Sequence, residues 1–286
     1  MLTKEQFHEK IASGILILDG ATGSNLRAAG MPRDCCTEQW ILENPEPLVA
    51  LQRAYAQAGS QIVYAPTFQA TPPALEKIGM ADHTERINEA LVALSRSAAP
   101  GCLIAGDLTT MAAVCESWDP DNFDFMVNAY RRQIRGLIDG GADLLIGETL
   151  LYPMEAEAIR DAAQAENAGA VLFSFTMQPD GTLFSGQDAG KVLHELEAMG
   201  AAAVGFNCVA ASEQTPFLVS KLRRHVRGPL ICKPNAGLPA SGPDGSECYT
   251  MTPEEFGRIQ AQCRQNGADL LGGCCGTTPA HIGAIR

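Results

Sequence analysis

Asn266-Gly267-Ala268-Asp269-Leu270-Leu271-Gly272-Gly273-Cys274-Cys275-Gly276-Thr277-Thr278-Pro279 holds one structural unit in miniature. Asn266-Gly267 closes a helix, since glycine accepts the left-handed conformation that a helix end demands. Residues 269–273 then form an apolar run of strand size, and Thr278-Pro279 opens the next helix with a capping hydroxyl and a proline at the first helical position. Cys274-Cys275 falls between the two, at the C-terminal end of the strand. The same punctuation recurs upstream. Ala58-Gly59-Ser60 and Gly140-Gly141-Ala142-Asp143 each close a helix and lead into a strand, and Thr252-Pro253-Glu254-Glu255 adds a capping-box glutamate to the cap and the proline.

Working outward, strand-like runs fall at 15–19, 61–65, 103–107, 143–148, 170–177, 202–207, 230–234 and 269–273. They are continuous apolar runs more than alternations, as expected for parallel strands covered on both faces. Amphipathic segments at 47–58, 84–98, 125–140, 154–167, 191–199, 215–226 and 253–266 separate them. Eight strand-then-helix units predict a (β/α)8 TIM barrel, preceded by a short N-terminal helix. An open doubly wound sheet is the competing arrangement, but no Gly-x-Gly-x-x-Gly follows the first strand. No linker divides the chain, so 1–286 is expected to be a single barrel domain, with the Pro/Gly-rich 236–247 as a long loop after the seventh strand. The sequence ends soon after the eighth helix begins, which is expected of a trimmed barrel or of one module of a longer protein.

Composition excludes several functions. With 46% hydrophobic and 19% charged residues the chain has ample core material. A net charge of −12 with no basic tract argues against nucleic acid and anionic membrane surfaces as partners. The N-terminus has no signal-peptide core, and the longest apolar runs fall far short of the roughly 20 residues that span a bilayer. The expected location is the cytoplasm, where the ten cysteines point to metal or catalysis before disulfides.

The chemistry of such barrels sits at the C-terminal ends of the strands. There the sequence places Asp19, Thr67, Asp107, Glu148, Asn207-Cys208, Asn235 and Cys274-Cys275. Glycines flank Cys274-Cys275 and let the backbone turn both sulfurs toward one point. With Cys208 from another strand end they make three soft ligands, the number a catalytic zinc site uses while keeping its fourth position open. Two packed thiols or a vicinal disulfide remain the structural alternative. Cys35-Cys36 is a second vicinal pair, in a loop without flanking glycines, and is expected not to bind metal. Glu148 and Asp19 each end an apolar strand and fit either loop hydrogen bonding or recognition of an amino group. The histidines at 8, 83, 194, 225 and 281 all fall on expected helices and are read as surface residues.

Asp19-Gly20-Ala21-Thr22-Gly23, Gly147-Glu148-Thr149, Gly205-Phe206-Asn207-Cys208, Pro234-Asn235-Ala236-Gly237 and Gly272-Gly273-Cys274-Cys275-Gly276-Thr277-Thr278-Pro279, in this order, resemble the homocysteine S-methyltransferase family. The final motif looks most like the homocysteine-binding module of cobalamin-dependent methionine synthase. The resemblance implies a zinc ion on Cys208, Cys274 and Cys275, and homocysteine methylated to methionine. It implies that Asp19 and Glu148 bind the substrate amino group, with Gly20, Thr67 and Phe68 contacting the rest. Asn207 would orient the ligand loop, and Asn235 would border the open zinc position. The implied methyl donor is methylcobalamin carried by a separate corrinoid protein or module. S-methylmethionine or betaine as donor, another thiol as acceptor, and a non-catalytic zinc or thiol module partnering a corrinoid protein are the alternatives. Relatives using S-methylmethionine more often have arginine where Gly276 stands, and betaine-using relatives an aromatic residue where Gln69 stands. The chain carries Pro66-Thr67-Phe68-Gln69 where methionine synthase relatives usually have Asn-Thr-Phe-Gly, which places Gln69 near the expected substrate.

Overall fold

A computed structural model describes residues 1–113, 120–241 and 247–285. Eight parallel strands form one sheet: β1 (Leu16–Ile17), β2 (Ile62–Tyr64), β3 (Leu103–Thr109), β4 (Leu144–Leu150), β5 (Val171–Phe175), β6 (Ala203–Ala210), β7 (Leu230–Asn235) and β8 (Leu270–Leu271). Neighbours follow chain order from β2 to β8, and β8 pairs with β1. A parallel bridge between Leu18 and Ile62 joins β1 to β2 and closes the ring. The main-chain N–H of Gln61 donates to Ile17 O at 2.7 Å across that seam. Helices Pro45–Ala58, Thr84–Ala98, Pro120–Asp139, Pro153–Ala165, Ala189–Ala198, Thr215–Arg223, Pro253–Gln265 and Pro279–Gly283 follow the strands in turn. The molecule is a (β/α)8 barrel.

The N-terminal helix, Lys4–Ile11, plugs the bottom. Thr3 and Gln6 form its capping box, and its Phe7 is fully buried among the inward residues of the strands. Leu2 threads the plug into the sheet: its N–H donates to Asp143 O, and its carbonyl accepts from Ala170, both at 2.7 Å.

Strand periodicity explains how the interior is layered. Successive residues of a strand point to opposite faces. Ile62, Ala105, Leu144, Ile146, Leu172, Ala203, Ile231 and Leu270 point inward and pack with Phe7 as one apolar cluster. Val63, Ile104, Leu145, Phe173, Val204 and Leu230 point outward under the helices. Two residues further along the inward rows, toward the C-terminal rim, stand Tyr64, Asp107, Glu148, Ser174 and Lys233. The same parity brings Asn207 inward, in register with Lys233. An apolar floor thus carries a polar layer.

The structure departs from expectation in places. Short helices at Gly23–Ala28, Thr37–Glu43 and Pro72–Glu76 precede the first two long helices. They exist to cover a satellite core of Leu26, Ile41, Leu48, Leu75, Ile87 and Leu91. The 236–247 stretch is not all loop, since Ala240–Ser241 pairs antiparallel with Glu247–Cys248. His281 is not a surface residue. It is buried, shares a hydrogen bond with the Thr278 hydroxyl through Nδ1, pairs Nε2 with Met251 O at 3.0 Å, and meets the Phe256 ring edge-on. A histidine at the third position of a helix takes the place of the capping-box glutamate there.

Candidate functional site

The rim above the polar layer is shaped by two bulges. Pairing of β4 with β5 shifts register between Gly147 and Leu150, and pairing of β6 with β7 shifts between Asn207 and Ala210. At each shift one residue takes a positive φ, Thr149 at 58° and Cys208 at 55°. Bulges of this kind re-aim a side chain at the cost of a strained backbone. Here the bulge in β6 turns the Cys208 sulfur toward the end of β8.

Beyond β8 the chain is pinned on both sides. Gly273 N–H donates to Asp19 O at 3.0 Å, Cys274 N–H to Pro234 O at 2.8 Å, and Ala236 N–H to Cys275 O at 2.9 Å. The Thr277 hydroxyl donates to Cys274 O at 2.7 Å. A Cβ on Gly273 would lie 2.5 Å from the Thr277 side chain, so only glycine permits this tight return. The result is convergence: Cys208 Sγ lies 2.9 Å from Cys274 Sγ and 3.9 Å from Cys275 Sγ. All three sulfurs fall within 4.8 Å of one another and form a group able to hold a metal ion. Hydrogen bonds from Cys208 and Cys274 pull the Cys275 pKa down to about 3, while Cys208 is pushed up by the bonds it makes to Cys274 and Cys275. The cluster therefore favours a thiolate even without a cation, and a dipositive ion would draw off the remaining protons.

Asn207 links the sulfurs to the polar layer. It is fully buried and accepts at Oδ1 from Thr149 N–H and Ser174 O–H, each at 2.9 Å. Its Nδ2 donates to Thr149 Oγ1 at 2.6 Å, to Glu148 Oε1 at 3.3 Å and toward Cys274 Sγ at 3.8 Å. Asn235 Nδ2 donates to Cys208 O at 3.2 Å, which leaves its buried Oδ1 without a partner.

Asp19 and Glu148 come together around a residue that the motifs do not single out. Lys233 Nζ lies 3.0 Å from Glu148 Oε1, 3.7 Å from Asp19 Oδ1 and 4.5 Å from the centre of the Tyr64 ring. Burial pulls its pKa down, but Glu148 and Asp19 outweigh that and hold it well above the usual lysine value. Burial pushes Asp19 up to about 7, against the opposing pull of Lys233 and the Tyr64 N–H, which donates to Asp19 Oδ2 at 2.8 Å. Asp107 is raised well above the carboxylate range, first by burial and then by Glu148. A signal for Lys233 exists in the sequence: a lysine in the apolar run Leu230-Ile231-Cys232, two residues beyond an inward position.

The remaining expected residues divide. A Cβ on Gly20 would lie 2.6 Å from the Tyr55 hydroxyl and 2.8 Å from Thr277 Oγ1, so the backbone runs close to the cysteine loop there. The Thr67 hydroxyl is committed to β3, donating to Asp107 O at 2.8 Å and accepting from Asp107 N–H at 3.1 Å. Phe68 is half-buried and Gln69 exposed, with the Gln69 N–H donating to Glu38 at 2.8 Å.

Comparison with known proteins agrees with this geometry. Residues 16–286 match the family described as homocysteine S-methyltransferase. The chain is 29% identical to methionine synthase of Mycobacterium tuberculosis over 293 residues, covering 95% of this chain and 24% of that protein. It thus spans about a quarter of the length of the methionine synthases it matches. It is 28% identical to homocysteine S-methyltransferase of Escherichia coli, covering 95% of this chain and 94% of the other. The metallated crystal structure of the homocysteine methyltransferase MmuM from Escherichia coli superposes with a TM-score of 0.81 at 28% identity, covering 95% of both chains. The chain belongs to the homocysteine S-methyltransferase family.

Proposed function

We propose that this barrel is a zinc-dependent S-methyltransferase that converts homocysteine to methionine, with Cys208, Cys274 and Cys275 holding the metal. The observation that carries the reading is the convergence of three thiols from two strand ends beside a buried acidic layer. The donor set fits: three soft sulfurs suit zinc and leave a fourth position for a substrate thiol. The buried, unpartnered Oδ1 of Asn235 beside Cys208 gives that position a polar border. Zinc held there would act as a Lewis acid that keeps the acceptor thiol ionised at neutral pH, where a free thiol of pKa about 8.5 is mostly protonated.

The chain's own residues do the positioning. The acidic layer that includes Asp19 and Glu148 receives the acceptor's amino group, and the Gly20 backbone approaches the rest of the molecule. Asn207 holds the Cys208 bulge against β4 and so fixes the angle at which the sulfurs point. The acceptor sulfur then forms its bond to the methyl carbon as the donor departs with the old bonding pair. Alignment and ionisation supply the catalysis, so no general acid–base pair is required.

For the donor we favour methylcobalamin on a separate corrinoid protein or module. The likeness to methionine synthases, of which this chain spans only part, supports it. Gly276 weighs against S-methylmethionine. It sits at φ 77°, and a Cβ there would meet the Tyr249 ring at 2.1 Å, leaving no room for the arginine of relatives that use that donor. The test supplies the zinc-loaded protein and homocysteine with methylcobalamin or with S-methylmethionine and measures methionine. Turnover with S-methylmethionine alone would overturn the corrinoid assignment. No methionine from any donor would leave a thiol-binding module.

A further inference from the structure

Two loops carry the proposed reaction, and a set of polar side chains ties them together. In the reading above, the turn after β1, Gly20-Ala21, lies against the acceptor, and the loop after β8 carries Cys274 and Cys275. Thr277 is where they touch. Its hydroxyl accepts from Ala21 N–H at 3.1 Å and donates to Cys274 O at 2.7 Å, so one side chain joins the turn to the carbonyl of a sulfur ligand.

Two further side chains reach both loops at once. The Asn25 amide has two hydrogens, and its Nδ2 donates to Ala21 O and to Thr277 O, each at 2.8 Å. The first contact alone is the local bond that polar side chains make to the carbonyl four residues back. The second spans 252 residues of sequence and belongs to no helix turn. Tyr55, on the helix Pro45–Ala58, is fully buried and aims its hydroxyl at the same two carbonyls, 2.7 Å from Ala21 O and 3.3 Å from Thr277 O. The same hydroxyl stands 3.2 Å from Asn25 Nδ2. Any one of these bonds could serve folding alone. Together they converge on one carbonyl from each loop and clamp the two loops at a fixed distance.

That distance matters to a thiol that must reach the metal with one end and lie on the turn with the other. One methylene more or less changes its reach by up to about 1.5 Å, a single C–C bond length. The clamp cannot follow such a change, because bonds of 2.7 and 2.8 Å are lost when stretched that far. We propose that Tyr55 and Asn25 are positioning residues that fix the span between the Gly20-Ala21 turn and the cysteine loop. That span selects the acceptor by the number of methylenes between its thiol and its amino-acid head, a role that rests on the homocysteine reading above and deepens it. Both residues act through Ala21 and Thr277.

Thiol binding to the cobalt(II)-loaded protein, read by the sulfur-to-metal charge-transfer band, tests this without a methyl donor. The probes are cysteine, homocysteine and 2-amino-5-sulfanylpentanoate, which share thiol, amino group and carboxylate and differ by one methylene each. Wild-type protein is expected to prefer homocysteine over its longer neighbour by roughly 10–200-fold, the range that one methylene commands. Tyr55→Phe, which removes one oxygen, and Asn25→Ala are each expected to cut that preference about fivefold, the order of one lost hydrogen bond. The longer thiol should stay within about twofold of its wild-type affinity. A purely structural role would weaken all three thiols together or leave all three unchanged, and either result overturns the proposal. Should Asn25→Ala fail to fold, Tyr55→Phe decides alone. A wild type that binds all three lengths alike also overturns it, and leaves the homocysteine reading to the methionine assay. A wild type sharply selective for another length would contradict the homocysteine reading instead, and the same variants would then still decide whether the span selects.

Discussion

The chain carries two vicinal cysteine pairs, and each stands near a buried carboxylate. Cys274-Cys275 lies near Glu148, and Cys35-Cys36 near Glu38. The ingredients match, yet the surroundings differ. Cys35 Sγ donates to Pro32 O at 3.2 Å and Cys36 Sγ to Glu38 Oε2 at 3.4 Å, so each thiol ends on a local acceptor. Burial raises the Cys36 pKa, and Glu38 raises it further, which keeps that thiol protonated. At the other pair the backbone is pinned to β7 and to Asp19 on either side, and a third sulfur arrives from β6 on a bulge. Among the described residues only Cys208, Cys274 and Cys275 form a metal-capable group of three. Adjacency of two thiols is thus incidental; what makes a ligand set is a strained strand end that delivers a third.

The sharpest break of this comparison is Cys208→Ala, which leaves Cys274-Cys275 as bare a pair as Cys35-Cys36. Zinc content measured by elemental analysis is expected to fall from about one per chain to near zero. Methyl transfer should fall by more than about a hundredfold, beyond the ~10–100-fold typical of changes behind the ligands. Asn207→Ala comes next. It removes the amide that ties Thr149, Ser174 and Glu148 to the Cys208 bulge, and zinc affinity by competition with a chelator should drop about 10–100-fold. If affinity holds, the bulge is self-supporting and Asn207 serves the acidic layer instead.

Asp19→Asn probes the acidic layer by a different measure, stability against pH. The carboxyl titrates at about 7 in the folded chain against 3.8 for the ordinary group, with burial as the main cause. Between these values the folded state holds a proton that the unfolded state has released. Asp19 therefore costs stability progressively as pH rises from about 4 to 7, and below about 4 it costs nothing. Urea midpoints of Asp19→Asn should equal those of the wild type near pH 4 and exceed them near pH 8. The gain should be a few kcal/mol at most, since a tenfold change in proton affinity is worth about 1.4 kcal/mol. Equal midpoints at both pH values would mean that Lys233 compensates the burial in full.

The barrel was legible because its signals are local. Helix Thr84–Ala98 begins and ends where the sequence pattern does, and 230–234 differs from β7 by a single residue. The 170–177 run is overlong because the strand ends at Phe175 and Met177 bridges back to Leu183, a pairing set by the loop and invisible in an apolar run. The short helices before β2 and after it carry too few turns for a period to emerge, and their apolar residues belong to a core assembled across remote segments. At the site, glycines around Cys274-Cys275 announced the turn. Lys233 was marked only by its place after an apolar run, and such a lysine reads as an interruption until Glu148 and Asp19, both distant in sequence, are brought beside it.

The smallest expected effect belongs to the other pair, and it is the one that tests whether the comparison is about metal at all. Cys36→Ala removes a thiol that caps nothing at its helix start and donates one long hydrogen bond to Glu38. Glu38 keeps its stronger partner, the Gln69 N–H at 2.8 Å, so the helix Thr37–Glu43 stays tied to the segment after β2. The burial that raises the Glu38 pKa persists, but one donor that opposed it is lost, so the carboxyl becomes somewhat easier to protonate. Stability should fall by about 0.5–1 kcal/mol in a denaturant titration, the worth of a modest hydrogen bond and a little packing. Zinc stoichiometry and methyl transfer should stay within about twofold of the wild type, because nothing in this loop reaches the sulfurs at the end of β8. A zinc content that fell with Cys36→Ala would mean that the loop pair takes part in loading the metal, and geometry at the strand ends would no longer separate the two pairs.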